Sequence, residues 1–246
     1  MTATPRTPRK AHRAGASASA KARSIAAAER PRTLASAALA AAAGAALGAV
    51  LQGAALALVL AAAAATAAAV WRWRRSAAAT WRMGAVGEKR TGRRLDPLAR
   101  RGWTVLHDRR LGPGSRANVD HLLVAPDGTV VNVDSKVRNG AVRYDRRKRY
   151  LRIGKTSGFQ LVKSTLYESE QIGQTLQREL GRPVKVESVL AVHRAKLPPW
   201  HNIEIKGVKV MSARDVRSWL RSRGGRGTIG GKEVAAAAEK LFHPYQ

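Results

Sequence analysis

The chain has 246 residues, and its 45 Lys and Arg against 16 Asp and Glu give a formal net charge of +29. So basic a balance points to a polyanionic partner, either nucleic acid or the anionic face of a membrane. There is no cysteine, which excludes disulfides and thiolate metal sites and leaves carboxylates, His and backbone carbonyls, donors suited to hard ions such as Mg2+ or Mn2+.

From residue 1 to about residue 33 the composition is Ala, Ser, Thr, Pro and Arg with almost no large apolar side chain. Such a segment buries too little surface to offset its ordering entropy, and a disordered basic tail is expected. Residues 34–70 contain no charge, and only Ser36, Gln52 and Thr66 are polar. A single helix of that length would run roughly 55 Å, against about 30 Å of hydrocarbon. Two transmembrane helices fit better, about 34–50 and 54–70, hinged at Gln52-Gly53; one span over the more apolar residues 47–70 is the alternative. Arg30 and Arg32 precede the run and Trp71-Arg-Trp-Arg-Arg75 follows it. Positive charge at both ends, with an aromatic anchor, places both termini and the globular part on the cytoplasmic side of the cell membrane.

Residues 76–101 read as a helix with Met83, Val86, Leu95 and Leu98 among charges, broken near Gly92 or Pro97. Trp103–His107 alternates as a short strand. Two Val- and Leu-rich runs flank Pro126-Asp127-Gly128, a strand–turn–strand pattern from Asn118 to Lys136. Asn139-Gly140 reads as a further tight turn into a strand over 141–144, which pairs with Tyr150–Ile153. Leu161–Leu180 has helical periodicity and ends at Gly181 and Pro183. The almost continuous apolar run 184–192 is a central strand. Ile203–Ile205 and Val208–Met211 form an edge pair, Ser212 caps a helix to Leu220, and 232–242 is a last helix. The predicted fold class is α/β, a mixed central sheet flanked by helices, with 76–192 as the main domain and 193–246 packing on it or extending it.

In the Asn118–Lys136 hairpin, Asp120 starts one strand while Asp134 and Lys136 end the next, so they can meet at one sheet edge. Asp134 and Lys136 are two apart and leave the same face. Asp120 and Asp134, with the Ser135 carbonyl, suit a divalent metal; Lys136 would orient a water and balance negative charge, and Glu88 on the preceding helix would complete the site. The competing reading is a set of structural ion pairs. The basic hairpin carrying Arg143, Arg146, Arg147 and Lys148, with Tyr144 and Tyr150 interleaved, suits phosphates and base stacking or serves as a charged sheet edge. Gly154-Lys155-Thr156 lacks the earlier glycine of a phosphate-binding loop. His107, His121, His193 and His201 show no metal-ligand spacing and read as core or surface histidines.

Gly87-Glu88, Asn118-Val-Asp120-His121, Val133-Asp134-Ser-Lys136 and Asn139-Gly140 together resemble the nuclease-related domain, NERD, a branch of the PD-(D/E)xK nuclease superfamily (restriction-endonuclease-like). The resemblance covers about 84–192. It implies Glu88, Asp120, Asp134 and Lys136 as the catalytic quartet, Mg2+ or Mn2+ as cofactor with no small-molecule cofactor, and nucleic acid as substrate, DNA ahead of RNA. It implies pairing of two copies as a further expectation. Gln171 and Gln174, three apart on one helix, either correspond to a polar helix residue that such folds place near the site or, as is more usual for such glutamines, form a solvated face. One departure concerns the residue before x-Lys, usually Glu in the family and Asp134 here. The expectation is a membrane-anchored, metal-dependent nuclease; the alternative is an inactive nuclease fold that binds nucleic acid or anionic lipid.

Overall fold

The computed structural model describes residues 13–245 apart from 52, 113–116, 146, 149, 199–202, 224 and 226. It divides into two compact units, one of residues 18–83 and one formed by the described residues before 18 together with those from 84 onward.

The first unit is a helical hairpin. Helix α1 spans Ala16–Val50 and α2 spans Ala54–Arg75. A Cβ on Gly44 would lie 2.6 Å from the Leu60 carbonyl oxygen, and one on Gly48 would lie 2.1 Å from the Ala57 Cα. Two glycines one turn apart thus let the helix backbones touch, as small residues do in apolar helix pairs. Leu39, Val50, Leu58 and Val59 remain exposed, and both helices are long and apolar enough to cross a membrane by length and composition. Residues 16–33, expected to lack order, are helical, and Pro31 lies inside α1. Ala, Lys, Arg and Glu there are strong helix formers that outweigh the lack of apolar burial. Gln52 of the expected hinge lies outside the described residues.

The second unit follows the predicted order. Helix α3 (Ala77–Leu95) leads into a 3-10 turn over Asp96–Arg101, because Pro97 cannot donate to the helix ladder. Strands β1 (Thr104–Arg110), β2 (Asn118–Val124) and β3 (Val130–Asp145) are antiparallel neighbours. Strands β4 (Tyr150–Ile153) and β5 (Thr156–Ser157) extend the far end of β3. After α4 (Phe159–Leu180), β6 (Val186–Lys196) lies parallel to β3. Strand β8 (Val208–Ser212) lies parallel to β6 and antiparallel to the edge strand β7 (Ile203–Ile205). The main sheet order is β1-β2-β3-β6-β8-β7, a mixed sheet with β6 in its middle. Helices α5 (Val216–Arg221) and α6 (Ile229–Leu241) complete the unit.

Strand alternation divides the core. Val131, Val133, Leu123, Val189 and Ala191 pack with Leu95, Leu98, Val216 and Leu220 on one face. Val130, Leu122 and Val124 pack on the other with Ile172 and Leu176 of α4 and Val234, Ala238 and Phe242 at α6. Period-two strands therefore bury both faces under helices, which is why these runs are nearly continuous in apolar residues.

Two local expectations change. Asn139-Gly140 does not turn the chain back: β3 runs through it with a register shift against β6 between Val137 and Gly140. Gly140 has φ +98 and its backbone meets that of Gly154, so the glycine makes a bulge that kinks the strand where another backbone approaches. Ser212 ends β8 instead of capping a helix; α5 begins after Asp215, because the strand register carries one residue further than the apolar pattern.

Candidate active site

Glu88 owes its place to the glycine before it. A Cβ on Gly87 would meet Val137 Cγ2 at 2.5 Å and the His193 ring at 3.4 Å, so only glycine lets α3 come this close to β3 and β6. Glu88 is 8% exposed, and its Oε2 is buried without a hydrogen-bond partner. Burial, reinforced by the Asp108 carboxylate, pushes its pKa up to about 7.

Asp120, Asp134 and Lys136 do meet at one end of the β2–β3 pair. Asp120 Oδ2 accepts the Ser135 N–H at 2.9 Å. Lys136 Nζ donates to Asp134 Oδ1, and Thr165 Oγ1 of α4 lies 2.9 Å from Asp134 Oδ2. Burial alone would lower the Lys136 ammonium, but the Asp134 and Asp120 carboxylates override it and hold it above its usual value. Asp120 is raised well above the carboxylate range by burial and by the neighbouring Glu88.

A fifth member escaped sequence reasoning. Glu168 of α4 is pushed up to about 8 by burial and by the Asp134 carboxylate, and its Oε2 lies 3.4 Å from Asn132 Nδ2. The signal was present: Leu161, Thr165, Ser169 and Ile172 mark the buried stripe of α4, and Glu168 falls on that stripe at helical spacing. Asn132 carries the same signal, a fully buried amide in mid-strand whose Nδ2 donates to Ser169 Oγ at 3.1 Å. Gln171 and Gln174, the glutamines singled out from the sequence, instead hydrogen-bond each other at 3.4 Å on the exposed side.

Four carboxyl groups thus share the neighbourhood of one ammonium, and burial together with mutual repulsion raises the pKa of Glu88, Asp120 and Glu168. An all-oxygen donor set of this sign suits a hard divalent cation, and the orphaned Glu88 Oε2 is an atom such an ion could satisfy. Among the described residues, however, no three His, Asp or Glu groups converge tightly enough to hold an ion as they stand.

His107, His121 and His193 are buried core residues with a defined arrangement, and His201 lies outside the described residues. His107 and His121 join each other, and Thr91 Oγ1 lies 2.7 Å from His193 Nε2 under α3.

Along the basic hairpin, Arg143 faces Arg152 across β3–β4 and Tyr150 is 47% exposed. Arg147 and Lys148 are exposed in the turn, where Asp145 Oδ1 accepts both of their backbone N–H groups. Tyr144 differs: its ring packs against the apolar cluster that contains Val142, Leu151 and Ile153, and its hydroxyl donates to the Glu204 carbonyl, which leaves Tyr150 as the ring available for stacking. Arg146 lies outside the described residues.

With this geometry in place, comparison with known proteins adds one finding. The family model of the nuclease-related domain, NERD, matches residues 83–193, the span from the start of the Glu88 segment to the end of the apolar part of β6. No curated protein and no solved structure matches the chain.

Proposed function

We propose that this nuclease-related domain, residues 83–193, hydrolyses phosphodiester bonds of nucleic acid, DNA ahead of RNA, with Mg2+ or Mn2+ held by Asp120, Asp134 and Glu88. The observation that carries the reading is the convergence of Glu88 from α3, Asp120 from β2 and Asp134 and Lys136 from β3, with more negative charge than Lys136 can balance. A divalent cation supplies Lewis-acid polarisation of the phosphoryl oxygen and an acidified water.

The side chains divide the remaining work. Thr165 anchors Asp134 Oδ2, so Oδ1 is the oxygen that exchanges its partner when substrate arrives. Lys136 Nζ then moves its hydrogen bond from Asp134 to a phosphate oxygen, placing positive charge where negative charge develops. Glu88, half-protonated near pH 7, gives up its proton when positive charge approaches. Arg143, Arg147 and Lys148 hold the phosphate backbone beyond the reacting group, and Tyr150 stacks on a base. The two long apolar helices support anchoring at the membrane, with the domain on the cytoplasmic side.

The test uses the purified full chain in detergent with DNA and RNA substrates in Mg2+ or Mn2+. Cleavage is expected, and Asp134→Ala or Lys136→Ala should lower it by at least about a hundredfold while sparing binding. A second reading is favoured by the direct Asp134–Lys136 ion pair and the lack of a converged acid triad among the described residues: a nuclease fold that binds nucleic acid without cutting it. Binding without cleavage by the wild-type protein, across both metals and both substrates, would establish that module instead.

A further inference from the structure

Ser135 stands between Asp134 and Lys136 but faces the other side of the sheet, the side of Val131 and Val133. It is 4% exposed, so its hydroxyl reaches no substrate. Two consecutive residues of β2 nevertheless grip it. Its N–H donates to Asp120 Oδ2 at 2.9 Å, and its Oγ lies 3.2 Å from His121 Nε2. The register between β2 and β3 ends at the pair His121 and Val133, and these two bonds take over beyond that point.

The chain of contacts continues behind His121. Its Nδ1 lies 2.8 Å from His107 Nδ1, with the two rings edge-on at 88°. His107 Nε2 lies 2.8 Å from Asp96 Oδ1, and the Asp96 side chain is 60% exposed. One polarity satisfies every link. A carboxylate can only accept, so His107 carries its proton on Nε2. Between two neutral rings, the 2.8 Å contact of the Nδ1 atoms needs one donor and one acceptor. His107 Nδ1 then accepts from His121 Nδ1–H, which leaves His121 Nε2 as an acceptor. The Ser135 hydroxyl must donate to it.

We propose that the buried chain Asp96–His107–His121–Ser135 is a positioning device that clamps β3 to β2 beyond the end of their ladder and sets Asp120, Asp134 and Lys136 in one register. The proposal's consequence for cation binding rests on the nuclease reading above; the clamp itself does not. His121 and Ser135 act through the carboxylates and touch no reacting atom. The arrangement has the logic of outer partners that orient inner ligands.

The experiment uses the full chain with Ser135→Ala, Ser135→Thr and Asp96→Ala, the last at the exposed end of the chain, where loss of the fold is least expected. Nitrogen-15 NMR reads the histidine tautomers, amide exchange reads the protection of residue 135, and Mn2+ titration reads the site. In the wild type, His121 should be the Nδ1–H tautomer and His107 the Nε2–H tautomer. Ser135→Ala should lose amide protection at position 135 and bind Mn2+ roughly tenfold more weakly, while Ser135→Thr, which keeps the hydroxyl, should retain both. Asp96→Ala should let both histidines populate the opposite tautomers. An Nε2–H tautomer at His121 in the wild type, or wild-type protection and Mn2+ affinity in Ser135→Ala, would overturn the clamp. If the wild type binds no Mn2+, the cation reading fails, and tautomer and exchange data alone uphold or overturn the clamp.

Discussion

Glu88 is held up to about 7 by burial and the Asp108 carboxylate, from an ordinary value of 4.5. The folded state therefore keeps a proton that the unfolded chain releases, and unfolding becomes more favourable as pH rises between those two values. The stability lost across that window is on the order of 3 kcal/mol. Thermal melting of the metal-free protein should accordingly fall as pH rises from about 4.5 to about 7, and Glu88→Gln, which cannot ionise, should flatten that fall. Added Mn2+ should restore more stability at the upper end of the window than at the lower. A melting curve as pH-dependent in Glu88→Gln as in the wild type would remove Glu88 from this role. Lys136 has the opposite character: among the described residues it is the cation that acts on both Asp120 and Glu168 and pairs with Asp134, so Lys136→Met should destabilise the metal-free protein by about 3 kcal/mol. At this scale the sequence allowed four of the five charged residues of this cluster to be brought together, because each lies on a strand or beside a helix glycine where position implies direction. Glu168 was hidden because its β3 neighbours, Asn132 and Asp134, lie far away in the sequence, a separation only the β3–α4 packing closes.

Among the elements, α3 carries the most specific demand. Gly87 is the point where helix backbone meets the Val137 side chain, and Val137 sits beside the bulge that Gly140 introduces into β3. Gly87→Ala should push α3 away, moving Glu88 from the carboxylates, at a cost of about 1–3 kcal/mol for overpacking. Val137→Ala in the same chain should recover part of that loss by making room. Urea melts of the two single variants and the double variant measure the coupling; strict additivity would show that the contact does not set the helix position. The type and order of nearly every element followed from periodicity and turn chemistry, as with Gly181 ending α4 in the left-handed conformation and Gly128 turning the hairpin with φ +92. Asn139-Gly140 misled for a physical reason. A positive-φ glycine after Asn serves a hairpin turn and a bulge equally well, and the choice belongs to β6, which pairs with β3 on both sides of the shift.

For the whole molecule, the +29 charge and the two apolar helices leave topology to be decided, and one contact bears on it directly. Ser17, at the start of α1, donates its N–H to Asp108 Oδ2 at 2.7 Å and its hydroxyl to Asp108 Oδ1 at 2.6 Å. Asp108 is fully buried on β1 and holds φ +51, a conformation costly for a residue other than glycine; as a carboxylate it caps the first turn of α1. The beginning of α1 is thereby held by the same compact unit that contains Asp120 and Asp134. A single membrane crossing between residue 17 and that unit would put the partners of this contact on opposite sides, so the apolar region must cross twice or not at all. From Arg30 and Arg32 before it and Arg72, Arg74 and Arg75 after it, we propose the cytoplasm for both ends. The chain has no cysteine of its own, so Thr2→Cys and Gln246→Cys, made singly, can be tested with a membrane-impermeant maleimide. Neither should label in intact cells and both should label after lysis. Labelling of Thr2→Cys alone in intact cells would mean one crossing, and the Ser17–Asp108 contact could not then exist in the membrane-bound protein.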